Sequence, residues 1–335
     1  MAGPVVRAPN HLGDVVLALP ALVEAAAPMV LVVASLAPIL RLALPPETVV
    51  PFRRGLAGWG EAVRALRRSG RRSGMLLTPS FSAAWMMRCG GVRRLRGTAT
   101  DGRSPLLSDR IPREALRPHH RINQYRLLLG LGTDRGPVSH RLRPPVALAE
   151  QWREALGEGS GAPLVGLFPG ANASSRRWPR ERFAHLAATL VREGARVVVL
   201  GGPGERAVTA AVADGAPGAR DLGGRTTMED LAAVLSVLDV LVTNDTGPMH
   251  LAGAVGTRTV SLWGASDPRE VRQTGAPDHP VTGAALPCKP CYRNECPRRG
   301  RGTLLEDAHR ECMRLIATDQ VLAATRAALS AGGAA

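Results

Sequence analysis

Lysine is almost missing from this 335-residue chain: Lys289 stands alone among 43 basic residues. The positive charge is therefore arginine, and against 28 acidic residues it leaves a formal net charge of +15. Aromatic residues make up only 3%. That is too few for the stacking platforms that hold single-stranded nucleic acid, and no nucleic-acid motif accompanies the charge, so no nucleic-acid partner is expected. No apolar run reaches the roughly 18 residues that read as a membrane-spanning helix. The start, Met1 to Asn10, lacks a basic region followed by an apolar stretch, so no secretion signal is read and a cytoplasmic protein is expected. There is no GxGxxG fingerprint and no Walker P-loop, which weighs against NAD and against ATP hydrolysis. The arginine excess invites an acidic partner, either a phosphorylated substrate or an anionic lipid surface. A chain rich in Ala, Gly, Pro and Arg carries the same excess without any partner.

What the chain does have is a hydrophobic content of 45% and enough length for two cored domains. Short β-branched runs alternate with helical stretches through both halves. In the first half they are Pro4 to Ala8, Met29 to Ala34, Val49 to Phe52, Met75 to Pro79 and Val92 to Leu95. Residues 100–121 are polar and arginine-rich, and a helix is read from His119 to Leu131. A Gly/Pro-rich break places the domain boundary within 140–162. The pattern then restarts at Leu164 to Pro169. Alternating strand and helix means parallel, doubly wound sheets of α/β class, with domains at 1–150 and 160–315 and a helical tail at 316–335.

The most informative stretch is residues 240–256. Val240 to Val242 suit a strand covered on both faces, Asn244, Asp245 and Thr246 are helix-capping types, and Gly247-Pro248 opens a helix. A helix start at the carboxyl end of a parallel strand is an anion site, with free N–H groups and a positive dipole end. It is also what any well-capped strand-to-helix connection looks like. Two further glycine-bearing turns, 169–176 and 200–205, follow strands of the same half and should gather at the same sheet edge. Arg176 and Arg177 would bring cationic donors to Thr246 and Gly247, and Glu205 could accept from ribose hydroxyls, so a nucleoside diphosphate fits. In the first half, Gly13 permits a tight turn and Asp14 sits at a helix start, where a carboxylate is also a simple cap. The basic segments 64–72, 93–96 and 110–126 offer arginines to an acidic acceptor or, equally, form solvated helix faces.

Four blocks, in order, resemble glycosyltransferase family 9, the ADP-heptose:lipopolysaccharide heptosyltransferases. Asn244-Asp245-Thr246-Gly247-Pro248-Met249-His250-Leu251-Ala252 is similar to the family signature. Pro9 to Asp14 resembles its Pro-x-x-x-Gly-Asp, and Phe168-Pro169-Gly170-Ala171 with Arg177-Trp178-Pro179 resembles its Pro-Gly-Ala…Lys/Arg-x-Trp-Pro. Pro287 to Pro297 is similar to the cysteine-bearing tail of the heptosyltransferase II branch. The resemblance implies a GT-B fold, two Rossmann-like parallel-sheet domains facing across a cleft, acceptor in the first and ADP-sugar in the second. It implies inverting, metal-independent heptosyl transfer from ADP-L-glycero-D-manno-heptose to a lipopolysaccharide inner-core acceptor. Asp14 falls on the family's general base. Asn10, His11, Gly13 and Arg121 fall on the acceptor side. Asn172, Arg176, Arg177, Glu205, Asp245, Thr246, Gly247 and His250 fall on the donor side. Arginine stands near where the family uses lysine, which leaves open whether Arg176 or Arg177 takes that place. Asp245 reads as architecture and His250 as a phosphate neighbour or a packing residue.

The implied acceptor is an acidic, lipid-linked glycan, which would bring the protein to the inner face of the inner membrane. No cofactor is implied. Cys288, Cys291, Cys296, His309 and Cys312 are spaced compatibly with a structural zinc or iron–sulfur site, or they are plain thiols. Two rival functions stay open: transfer of another nucleotide sugar to a different surface glycan, and a GT-B-shaped binding protein without catalysis. Asp14 argues against the second.

Overall fold

A computed structural model describes residues 3–133, 136, 138–157, 161–296 and 311–332. The chain divides into two compact units, Met1–Leu142 and Arg143–Ala335. The first contains β1 (Val5–Arg7), α1 (Leu12–Glu24), β2 (Met29–Val33), α2 (Ala37–Arg41), β3 (Val49–Phe52), α3 (Leu56–Ser69), β4 (Ser73–Leu76), α4 (Phe81–Cys89), β5 (Arg94–Thr98), β6 (Asp109–Ile111), α5 (Arg113–Leu116) and α6 (Arg121–Leu128). All strand pairs are parallel, in the order β3-β2-β1-β4-β5-β6. The second contains α7 (Val146–Ala155), β7 (Leu164–Phe168), α8 (Arg180–Arg192), β8 (Arg196–Val199), α9 (Arg206–Asp214), β9 (Arg220–Asp221), α10 (Met228–Val237), β10 (Val240–Asn244), α11 (Gly247–Val255), β11 (Arg258–Trp263), α12 (Pro268–Val271), β12 (Asp278–Thr282), α13 (Glu311–Arg314) and α14 (Thr318–Ser330). Its order, β12-β11-β10-β7-β8-β9, is that of the first sheet when read from β9. Each unit thus has the Rossmann order, and the chain has the GT-B kind of fold.

The central strands are buried because both faces carry helices. Every residue of β2, β7 and β10 is buried, as continuous apolar runs require in a covered parallel sheet. Helix starts follow their caps. Ser80 accepts from the Ala83 amide at the head of α4, and Thr227 and Asp230 form a capping box on α10. His120 Nδ1 accepts from the Ile122 amide, so α6 begins at Arg121, two residues later than the sequence suggested. Gly256 ends α11 at φ 97°, in the left-handed region where glycine is favoured.

The division between units falls at 142/143, and α7 lies in the second unit, packing on α10 while Trp152 Nε1 donates to Asp230 at 3.0 Å. Helix α14 packs on β11 and α8 and contributes Val321 and Ala328 to the second core. Residues 100–121 contain β6, which pairs parallel with β5 and is tied to it by the ion pair between Arg96 and Asp109. Among the described residues no helix is long and apolar enough to cross a membrane.

Candidate active site

In sheets of this order the strands reverse direction of succession at one point, and the crevice beyond their carboxyl ends is where ligands bind. In the first unit that point lies between β1 and β4, and in the second between β7 and β10. The resemblance-bearing blocks of Pro9–Asp14, Gly170–Arg177 and Asp245–His250 all follow these strands.

In the first unit Asp14 occupies the first turn of α1, with Gly13 buried and His11 exposed before it. Its carboxylate Oδ1 accepts a 2.7 Å hydrogen bond from Tyr125 Oη on α6. Tyr125 is buried, and burial followed by the nearby Asp14 charge raises its phenol well above its ordinary value, while Arg121 opposes the rise. The phenol is thus held as a donor to the carboxylate. The next residue, Arg126, grips Glu24 at the far end of α1 with both terminal nitrogens. Adjacent residues of α6 therefore fix both ends of α1. Asn10 donates to Thr78 Oγ1 at 3.4 Å, and its carbonyl accepts from Arg54 at 3.2 Å. Arg121 Nε is buried without a hydrogen-bond partner. Several arginines of the basic segments bond to backbone carbonyls: Arg67 to Cys89, Arg71 to Gly3 and Arg96 to Leu127 and Leu128.

In the second unit Asn244 joins two turns. Its Nδ2 donates to the Pro169 carbonyl at 2.8 Å, and its Oδ1 accepts from the Trp178 amide at 3.0 Å. Asp245 is 3% exposed and meets Arg176 Nη1 at 3.0 Å and the Ser266 hydroxyl. Asn244 and Asp245 are thereby taken, Thr246 makes no side-chain cap, and α11 begins without one. Asp245, the partner of Arg176, immediately precedes Thr246, the N-cap of α11, so a cation and a helix start meet along one turn, an arrangement suited to a phosphate. His250 is buried in the first turns of α11. Arg177 instead turns to the Ala171 carbonyl of its own loop, so geometry separates the two arginines. Asn172 is exposed on that loop. Glu205 accepts from the Gly202 amide at 2.7 Å and lies against Gly170, where an added Cβ would come within 1.9 Å of Oε1. Trp178 is core: it packs edge-on against Phe183 at 4.9 Å and donates to the Ile316 carbonyl.

The cysteine segment adjoins this site. The Ser175 amide donates to the Asn294 carbonyl at 3.1 Å, and the Cys291 amide to Ala265 at 2.9 Å. All five cysteines are free thiols, and burial raises the Cys312 thiol. Among the described residues no group of three or more His, Cys, Asp or Glu is placed to hold a metal ion, and His309 lies outside them. Tyr125, Arg126 and Ser266 are the residues that sequence reasoning missed. Only the cross-unit scarcity of tyrosine, two in the chain, could have drawn attention to one of them.

The lipopolysaccharide heptosyltransferase 2 of Salmonella typhimurium is 35% identical over 112 residues, 32% of each chain. The chain thus aligns with about a third of the length of this curated relative. The solved ADP-heptose lipopolysaccharide heptosyltransferase II of Escherichia coli matches 98% of this chain and 99% of its own, with TM-score 0.76 at 21% identity. A family 9 glycosyltransferase from Veillonella parvula matches 98% and 97%, with TM-score 0.77 at 22% identity. At those identities the likeness is one of fold. The sequence model described as glycosyltransferase family 9 (heptosyltransferase) matches residues 59–300, well over half of the chain. By that match the chain belongs to glycosyltransferase family 9.

Proposed function

We propose that this protein moves heptose from ADP-L-glycero-D-manno-heptose to a lipopolysaccharide inner-core acceptor, with inversion at the anomeric carbon and without a metal ion. The observation that carries the reading is the pairing of Arg176 with Asp245 beside the uncapped start of α11. Arg176 and the Thr246–Gly247 amides hold the donor diphosphate there, and Glu205 and Asn172 border the nucleoside side. Asp14, outside the residues matched by the family model, is the general base. The acceptor hydroxyl oxygen forms the new bond to the anomeric carbon. The bond from that carbon to the diphosphate oxygen breaks with its electron pair, and the hydroxyl proton goes to Asp14. Negative charge grows on the departing ADP, where preorganised cationic and amide donors stabilise it in place of a divalent ion. Tyr125 keeps the base oriented.

Acceptors of this class carry acidic sugars on a lipid at the inner leaflet. A peripheral membrane contact is supported by Leu56 and Phe81, 92% and 48% exposed at the heads of α3 and α4, and by Trp85, 49% exposed one turn into α4. Apolar side chains beside arginines suit an anionic interface. The deciding experiment supplies purified protein with ADP-heptose and a lipid-linked core acceptor and identifies the product by mass spectrometry and anomeric coupling. Transfer with inversion is expected. A preference for UDP- or GDP-sugars would overturn the donor, and retention at the anomeric carbon would overturn the mechanism.

A further inference from the structure

Thiols gather at the carboxyl edge of the second sheet, beside the donor loop. Cys312 lies on α13, in a space left by two glycines. A Cβ on Gly264, just after β11, would come within 3.0 Å of Cys312 Sγ, and one on Gly283, just after β12, within 2.8 Å of its carbonyl oxygen. Cys291 is brought to the same turn, because its amide and that of Tyr292 both donate to the Ala265 carbonyl at 2.9 Å. Burial raises the Cys312 thiol, Lys289 lowers it, and Cys296 and Cys291 raise it further, so both sulfurs are near enough to act on it. The only lysine of the chain thus stands beside these sulfurs, and a cation there favours a thiolate. All three cysteines are half-buried, within reach of a small oxidant. Among the described residues they are not arranged around a common metal position, whereas a disulfide needs only two of them.

The segment that carries Cys291 and Cys296 is a clasp. Between those cysteines, Arg293 and Asn294 turn their carbonyls to the donor loop. The Ser175 hydroxyl donates to Arg293, the Ser175 amide to Asn294 at 3.1 Å and the Ser174 hydroxyl to Asn294 at 3.3 Å. At its other contact the clasp holds Ala265, the neighbour of Ser266, which supports Asp245, the partner of Arg176. The clasp therefore touches both turns that fix Arg176, and these contacts are hydrogen bonds. Helix α13, by contrast, is rooted in the second core through Met313. A covalent link between the two would tie the clasp to the core.

We propose that this cluster is an oxidation site, at which Cys312 forms a disulfide with Cys291 or Cys296 and locks the clasp against the donor loop. The second half of the proposal rests on the reading of the second unit as the ADP-sugar domain. With hydrogen peroxide as oxidant, one thiolate takes an oxygen atom and becomes a sulfenic acid, and water leaves. The other thiolate attacks that sulfur, the S–S bond forms, and the sulfenic oxygen departs as a second water. Two thiols are oxidised and one peroxide is reduced. In a reducing compartment such a bond is transient, as redox-sensing disulfides are.

The test uses the full chain, reduced, then exposed to hydrogen peroxide, with remaining thiols blocked before non-reducing digestion. Peptide mapping should find Cys312 linked to Cys291 or Cys296, and dithiothreitol should reverse the link. Oxidation should raise Tm by about 5 °C or more, and should tighten ADP, read by calorimetry, by about threefold or more, because a clasp fixed beforehand spares the cost of ordering it. Cys312→Ser should lose the link, the Tm shift and the gain in ADP affinity together, whereas Cys89→Ser in the first unit should keep all three. If Cys312→Ser does not fold, the double variant Cys291→Ser/Cys296→Ser reads the same link. No link at Cys312, a link confined to Cys288 and Cys291, or stoichiometric zinc or iron that shields the thiols overturns the oxidation site. A mapped link with ADP affinity unchanged, weakened or absent overturns its coupling to the donor loop. Mapping and Tm need no ADP, so failure of the site and failure of the proposed activity are told apart.

Discussion

Tyr125 and Asp14 lie 111 residues apart and meet through one 2.7 Å hydrogen bond, from the phenol to the carboxylate. The bond fixes which carboxylate oxygen stays open, since Oδ1 is engaged. Tyr125→Phe keeps the buried ring and removes only the donor. A hydrogen bond to a charged group contributes about 1.5–3 kcal/mol, so kcat should fall by about tenfold or more. Donor affinity should not move. Unchanged kcat would remove Tyr125 as a positioning residue.

Asp14→Asn keeps the size of the side chain and its hydrogen-bond partner but cannot take a proton. General-base catalysis is worth roughly 10²–10⁴-fold, and turnover should drop by that range. Binding of ADP-sugar, measured by calorimetry, should persist because the residues proposed to hold it lie in the other unit. Near-normal turnover would assign the base elsewhere.

The parts of this architecture that sequence could reveal are those written in local patterns. Val240–Val242 and the capping residues after them announced a buried strand and a helix start, because burial on two faces and unpaired amides each demand particular residue types. What stayed hidden was set by partners distant in sequence. Asn244 looked like a cap, yet it binds the Pro169 carbonyl and the Trp178 amide across the sheet edge. Arg176 and Arg177 are chemically identical neighbours, and only the path of the loop sends one to Asp245 and the other to Ala171. Strand β6 carries one apolar residue, Ile111, after two charged ones, and its place comes from the open edge of β5.

Both tyrosines of the chain have raised phenol pKa values, Tyr125 by burial and then by Asp14, Tyr292 by burial and then by its hydrogen bond to Glu270. The fold therefore favours the protonated phenols. That contribution to stability is complete below the unfolded value of about 10 and is lost as pH rises through the higher folded values. Phenolate absorbance of the native protein should stay flat to about pH 10, whereas denatured protein titrates near 10. A native titration with an ordinary midpoint would contradict the buried Tyr125–Asp14 contact.

Transfer should withstand a chelator. Arg176 and the amides of α11 offer the positive potential that a divalent ion would otherwise supply to the departing diphosphate. Rates with excess EDTA are expected within about twofold of the control, a difference below 0.5 kcal/mol. Activity lost to chelator and restored by Mg²⁺ would refute this. Metal analysis of the same preparation tests Cys288, Cys291, Cys296 and Cys312: stoichiometric zinc or iron would mark a structural site, and its loss should then lower Tm.

The two arginines of the donor loop give opposite expectations. Arg176→Met removes the cationic partner of Asp245, which is 3% exposed and retains only Ser266. Because Arg176 itself is 29% exposed, solvent screens part of the loss, and destabilisation of about 1–3 kcal/mol is expected. Donor binding should weaken by about tenfold or more, as one charge-assisted phosphate contact is lost. Adding Asp245→Asn should recover most of the stability, since no buried carboxylate is left unpaired, without recovering donor affinity. Arg177→Met gives up one hydrogen bond to the Ala171 carbonyl, about 0.5–1.5 kcal/mol, and should leave donor affinity nearly unchanged. Equal losses of donor affinity in Arg176→Met and Arg177→Met would show that both guanidiniums reach the diphosphate and would void the separation drawn from their hydrogen bonds.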